Sequence, residues 1–280
     1  MPVWAAKLRG QQEMARANRH HLPGYVWHIT HRCHKREFLL KFDKDKKRWV
    51  DWLFEAKKRF GLSILDYAVT SNRIHLLVFA SREDVIPKSI QLIAGRTGRE
   101  YNQRKKRRGA FWEDRYHATA IKKGDHLARC LVYIDLNMVR AGAVQHPSEW
   151  VYGGYNEIQG PKKRYTLIDR RRLAGLIGIK DDEQLSATHS QWVQAELESN
   201  SDSRDPKWTR SIAVGDEAFV RTTQSELGGR AIGRKPIEDE GVYELREAQA
   251  PYSHVLGTKK VNVRHDNSYL WELYVGNTDT

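Results

Sequence analysis

Two short apolar runs, Ser63 to Thr70 (SILDYAVT) and Ile74 to Ala80 (IHLLVFA), are separated by only Ser71-Asn72-Arg73. A connection that short between β-branched and aliphatic runs implies an antiparallel hairpin. The scarcity of polar residues within the runs buries at least one of its faces. A chain built around such a hairpin has to supply further strands beside it and helices over it.

The flanking sequence supplies both. Val26 to Cys33 (VWHITHRC) follows the turn signal Leu22-Pro23-Gly24 and reads as a first strand. Asp43 can cap a helix running to about Phe60, with Trp49, Leu53, Ala56 and Phe60 on one stripe and Gly61 ending it. Val85 to Asn102 has helical spacing, with Ile86, Ile90, Ile93 and Ala94 on one side; Tyr116 to Lys122 alternates like a strand; Gly124 and Asp125 introduce a helix from about His126 to Leu136. The order β, α, β, β, α, β, α predicts an α+β fold with helices against one antiparallel sheet. Around Ile158-Gln159-Gly160-Pro161 the pattern breaks, which suggests one domain over 1–165 and an accessory region over 166–280. In the latter, 167–177, 183–198 and 216–227 have helical spacing, Asn200 to Pro206 is a polar linker, and 242–263 suits a short strand or hairpin.

Charge divides the chain at the same place. Of 48 basic and 35 acidic residues, a formal charge of +13, residues 1–165 hold 33 and 16, net +17, and residues 166–280 hold 15 and 19, net −4. The first part therefore suits a polyanion, attracted through counterion release irrespective of base sequence. Two cysteines far apart, Cys33 and Cys130, exclude a disulfide framework or a four-cysteine zinc site. No window approaches the roughly 18 apolar residues of a membrane helix. Residues 1–19 lack the apolar core of a signal peptide, so the expectation is a soluble cytoplasmic protein.

Four segments could carry chemistry. On the hairpin's second strand Arg73 and His75 share a face amid apolar neighbours; a lone core histidine with a hydrogen-bond partner is the plainer explanation. In Leu131 to Gly142, Tyr133 and Asn137 stand one helical turn apart and can address one point, although a tyrosine on an apolar helix face is usually core. The run Arg104-Lys105-Lys106-Arg107-Arg108 precedes Phe111-Trp112-Glu113-Asp114-Arg115-Tyr116-His117, and cations beside aromatics suit unpaired nucleic acid or, equally, a solvated loop entering a core strand. His28, His31, Cys33 and His34 crowd the first strand, but 31 and 33 face away from 28 and 34, which argues against a zinc site.

Taken in order, Pro23 to Thr30 (PGYVWHIT), Tyr67 to Val78 (YAVTSNRIHLLV), Phe111 to His117 (FWEDRYH) and Tyr133 to Gly142 (YIDLNMVRAG), with the trailing Pro147-Ser148-Glu149-Trp150, resemble the REP-associated tyrosine transposases, a branch of the single-tyrosine HUH (IS200-like) superfamily. The resemblance covers residues 23–157. It implies a ferredoxin-like sheet with a His-hydrophobic-His pair on a central strand, holding Mg²⁺ or Mn²⁺ against a scissile phosphate of single-stranded or hairpin DNA. It also implies that Tyr133 is the nucleophile forming a 5′-phosphotyrosine, that His75 and Asn137 are metal ligands, and that the partner DNA is met by Arg73, Arg104, Lys105, Lys106, Arg107, Arg108, Arg115, His117 and Arg140. A bacterial, nucleoid-associated protein acting as a monomer, with no membrane partner, is the corresponding expectation.

The chain departs from that pattern at the first histidine, where it has Arg73. A guanidinium offers no lone pair and stays protonated, so it cannot ligate a metal. Three consequences are open: DNA binding without cleavage, a weakened metal site built from His75 and Asn137, or Arg73 itself polarising the phosphate. The alternative function is a domesticated hairpin-binding module. A further reading makes 216–227 with Gly228-Gly229-Arg230 a targeting or dimer module, against which its acidic surroundings count. Met138, where the family has proline, leaves the tyrosine helix free to extend.

Overall fold

The computed structural model describes residues 21–199, 205–231, 233–239 and 241–247. The expectations for residues 1–19, for 200–204 of the linker and for 248–263 lie outside the described residues.

Strand β1 (Val26–Arg32) leads into α1 (Asp43–Phe60), then the hairpin β2 (Ser63–Val69) and β3 (Arg73–Phe79), α2 (Val85–Arg104), β4 (His117–Ile121) and α3 (Asp125–Asp135). Helix α1 carries Asp43 and Asp45 in its first turn and stops where Gly61 adopts φ 69°, its N–H closing on the Lys57 carbonyl at 2.9 Å. The first four strands lie in the order β2-β3-β1-β4, all antiparallel. A β-α-β-β-α-β unit in that order is ferredoxin-like, so the α+β class read from the sequence is the one observed.

Register assigns the two faces. Thr30 pairs with His75 of β3 and with His117 of β4, and Arg32 pairs with Arg73. His28, Thr30, Arg32, Arg73, His75, His117 and Thr119 therefore share one face. Ile29, Leu76 and Tyr67 point the other way, where Trp49 of α1 meets Tyr67 and the Trp112 indole, stacked on His31, bonds to the Ala94 carbonyl of α2. Helices α1 and α2 thus cover one face, and α3 covers the face with the histidines. An irregularity in β2 between Ile64 and Asp66 keeps Asp66 on the α3 side, fully buried.

The rest of the chain completes the same body. After α4 (Tyr155–Gln159), α5 (Arg170–Ile177), α6 (Asp182–Glu198) and α7 (Lys207–Arg210), strand β5 (Ala213–Gly215) pairs in parallel with β4, and helix α8 (Glu217–Leu227) is followed by the hairpin β6 (Arg234–Asp239) and β7 (Val242–Glu247). Strand β7 pairs with β5, giving seven strands in one sheet. The described residues up to Glu247 form one compact unit, with no break in packing near 165. The change of charge there is a change of surface, and the sheet runs across it.

Helix α3 ends at Asp135, earlier than the loss of proline at 138 suggested. The Asn137 amide donates back to the carbonyls of Tyr133 and Ile134 at 3.1 and 3.3 Å, satisfying the helix end, and hydrogen-bonded turns carry the chain to Gly142.

Candidate nucleic-acid site at Tyr133

Tyr133 sits in the last turns of α3, almost wholly buried, with its ring edge-on to His28 and His75 at centroid separations of 6.2 and 6.1 Å. Arg140 lies over the same ring at 5.1 Å and donates to the Tyr133 carbonyl at 2.9 Å. A cation on the ring face favours developing negative charge on the phenol.

The two histidines behind it are joined end to end. The Nδ1–H of His28 donates to the Trp208 carbonyl at 2.8 Å, since a carbonyl can only accept. Burial, the larger influence, lowers the His28 pKa to about 3 against the opposing pull of the Trp208 carbonyl. His28 is therefore neutral with a lone pair on Nε2, which accepts the Nδ1–H of His75 at 3.1 Å. Ring planes 19° apart and centroids 5.3 Å apart fit this in-line bond and not two donors converging on an ion. In its neutral form His75 then carries its lone pair on Nε2.

Trp208 comes from α7, and the segment after it continues the pattern. The Ser211 carbonyl accepts from His117 Nε2 at 2.9 Å and from Thr119 Oγ1 at 2.6 Å. Residues 205–211 thus form a wall of the site over β1 and β4.

Two cavities meet at Tyr133. One, about 290 Å³, is lined by Tyr133, His117 and four guanidiniums, Arg32, Arg73, Arg115 and Arg210, together with the carboxylates Glu113, Asp114 and Asp205. The other, about 480 Å³, has Tyr133 with Arg129, Arg140, Trp192, Lys207 and Trp208. Of the residues singled out in the sequence, Tyr133, Arg73, Arg115 and His117 come together in the first cavity, Arg140 joins Tyr133 in the second, and His75 stands behind the tyrosine ring.

The basic run is elsewhere. Arg104 pairs with Asp45, Arg107 with Glu37 at 3.5 Å, and Lys105 lies over the exposed Phe42 ring at 5.3 Å. All three stand at the end of α2, on the sheet face opposite Tyr133, with Lys106 and Arg108 beside them. Phe111 is core, and Trp112 stacks on His31 at 4.1 Å, so these rings are engaged within the fold. Cys33 is a buried thiol whose pKa burial pushes up to about 12.

The residues present do not fit a divalent ion. Arg73 has no lone pair, so of the two positions of a His-hydrophobic-His pair only His75, through Nε2, could ligate, and the Asn137 amide nitrogen is turned back on its own helix. Among the described residues no three His, Cys, Asp or Glu side chains come together as a metal site requires.

Sequence reasoning weighed His28 only as a zinc ligand and set it aside, and it missed Arg32, Trp208 and Arg210. The place of His28 could have been found, because pairing β1 with β3 puts it on the face of His75. The contribution of residues 205–211 carried no signal in the sequence.

Cavity, cations and a helix-borne tyrosine backed by imidazoles thus meet at one place in the fold. Residues 22–137 match the family described as transposase IS200 like. That stretch is similar to the IS200-like transposases. Two solved structures are similar to this chain. One, of a REP-associated tyrosine transposase bound to a REP hairpin, is 18% identical with a TM-score of 0.43, over 51% of this chain and 84% of that one. The other, a Deinococcus radiodurans R1 protein described as a candidate transposase, is 19% identical with a TM-score of 0.29, over 37% of this chain and 83% of that one. No curated protein matches the sequence. Among the described residues no helix is long and apolar enough to cross a membrane.

Proposed function

We propose that this chain binds single-stranded or hairpin DNA and uses Tyr133 as the nucleophile of a strand transfer through a 5′-phosphotyrosine. The observation that carries the reading is the placing of Tyr133 on the wall of a cavity lined by four arginines. The overall charge supports a DNA partner, and the basic end of α2, with Arg104 to Arg108, is suited to the duplex stem on the far side of the sheet. Tyr133 packs against the sheet of its own chain, so the site needs no tyrosine from a second copy, which supports a monomer.

The test is incubation with a labelled hairpin carrying a single-stranded flank, followed by a denaturing gel. A protein-linked DNA band that disappears in Tyr133→Phe is the expected result. Salt-sensitive hairpin binding with no such band would favour the second reading, a binding module on a transposase scaffold, which the guanidinium at position 73 recommends.

A further inference from the structure

The register of β1 against β3 sets Arg32 directly opposite Arg73 on the Tyr133 side of the sheet. Like charges in direct cross-strand register destabilise the pair unless something neutralises them. Arg32 has a partial answer in Glu113 at 3.4 Å. Arg73, half-buried, has no carboxylate partner among the described residues. Of the other acids at the cavity, Asp205 is paired with Lys207, and Asp114 accepts from His31 through its backbone carbonyl. Arg115 and Arg210 bring two further guanidiniums to the same 290 Å³ space, with the phenol of Tyr133 on its wall. Planar guanidiniums are matched to phosphate oxygens, and paired ones bind a phosphodiester by bidentate, charge-assisted hydrogen bonds.

We propose that this cavity is the site of the scissile phosphodiester, in which Arg73 with Arg32 supplies the charge stabilisation that a divalent ion gives in a His-hydrophobic-His site, so that cleavage proceeds without metal. The cleavage half rests on the reading of Tyr133 given above; the phosphate site rests on the cavity itself. The phenol oxygen of Tyr133 bonds to phosphorus and the bond from phosphorus to the 3′ oxygen breaks. The phenol proton ends on that oxygen, giving a 5′-phosphotyrosine and a free 3′-hydroxyl with no other reactant. The guanidiniums stay protonated throughout and act on the two non-bridging oxygens, where charge accumulates.

Two measurements on the full chain test this. The first is the affinity of a thymidine tetranucleotide in EDTA for the Tyr133→Phe protein, with and without Arg73→Gln. Binding should be unchanged by replacing EDTA with Mn²⁺ and weakened tenfold or more by Arg73→Gln, with Arg73→Lys between. Arg115→Gln, at an exposed position, should weaken it too, and an unchanged thermal melt shows that each variant folds. Affinity indifferent to both substitutions overturns the proposal. The second is the covalent hairpin adduct, expected in EDTA at a rate within about twofold of that in Mn²⁺. An adduct formed only with metal overturns the metal-free reaction. Arginine-dependent binding with no adduct under either condition upholds the phosphate site and removes Tyr133 as nucleophile.

Discussion

His28 shows how one buried side chain sets the chemistry of another. Its proton is fixed on Nδ1 by the Trp208 carbonyl, and its Nε2 in turn fixes the proton of His75. A histidine whose tautomer is held in this way presents a defined lone pair, the requirement for a proton acceptor beside a phenol. Replacing His28 by Leu removes the acceptor for His75 Nδ1 and leaves the Trp208 carbonyl only the longer contact from the Thr119 hydroxyl at 3.3 Å. Nitrogen NMR should find His75 protonated at Nδ1 in the parent and redistributed toward Nε2 in His28→Leu, with adduct formation slowed about tenfold or more. A His75 that keeps its Nδ1 proton in the variant would refute the link. His28→Gln, which retains a donor and an acceptor, should recover part of the rate. Spacing in the sequence put Arg73 beside His75 on one strand face and Tyr133 on a helix face, and the family resemblance singled them out. The neighbourhood of His28 depends on pairing between strands 47 residues apart, and of its two candidate faces only the register of β1 against β3 decides which imidazole it meets.

At the scale of elements, helix α3 is anchored to its surroundings by buried polar groups as well as by apolar packing. Asp135 at its end accepts from His189 Nε2 of α6 at 2.7 Å, while the Gln159 amide donates to His189 Nδ1 at 2.8 Å. Burial lowers the His189 pKa to about 3, so that imidazole is neutral. Across from it Asp66 of β2 is fully buried, its pKa raised well above the ordinary 3.8 by burial first and by the charge of Asp135 second. A carboxyl whose pKa is higher in the folded than in the unfolded chain holds its proton best when folded. Its contribution is full below the unfolded value and lost as pH rises toward the folded one, each unit of elevation being worth about 1.4 kcal/mol. The melting temperature of Asp66→Asn relative to the parent should therefore increase from pH 4 to pH 8; a constant difference would contradict this assignment. The elements themselves were legible, since periods of two and 3.6 mark the order β, α, β, β, α, β, α from β1 to α3, while the ferredoxin-like sheet was implied by the family resemblance. Strand β5 was not: three residues, Ala213 to Gly215, are too few to show a period, and they are held as a strand by pairing between β4 and β7.

At the scale of the whole molecule, the stretch that matches the transposase family stops at 137, yet the wall closing its site comes from residues 205–211. A truncation after residue 165 would strip His28, His117 and Thr119 of their carbonyl acceptors, at about 1–3 kcal/mol for each group left buried and unanswered. Against a total stability of about 5–15 kcal/mol for a domain this is a large loss. Residues 1–165 made alone should lack a cooperative thermal transition, whereas residues 1–247 should melt sharply. A cooperative melt from the shorter piece would show that the acidic half is dispensable for folding. The parallel pairing of β5 on β4 has one more consequence. With β5 gone, β4 becomes a bare edge whose backbone groups invite a neighbouring molecule to dock, strand to strand. The family-matching segment is therefore a poor portable part: excised alone, it would tend to polymerise, and the acidic half serves the basic half as a built-in guard against self-association.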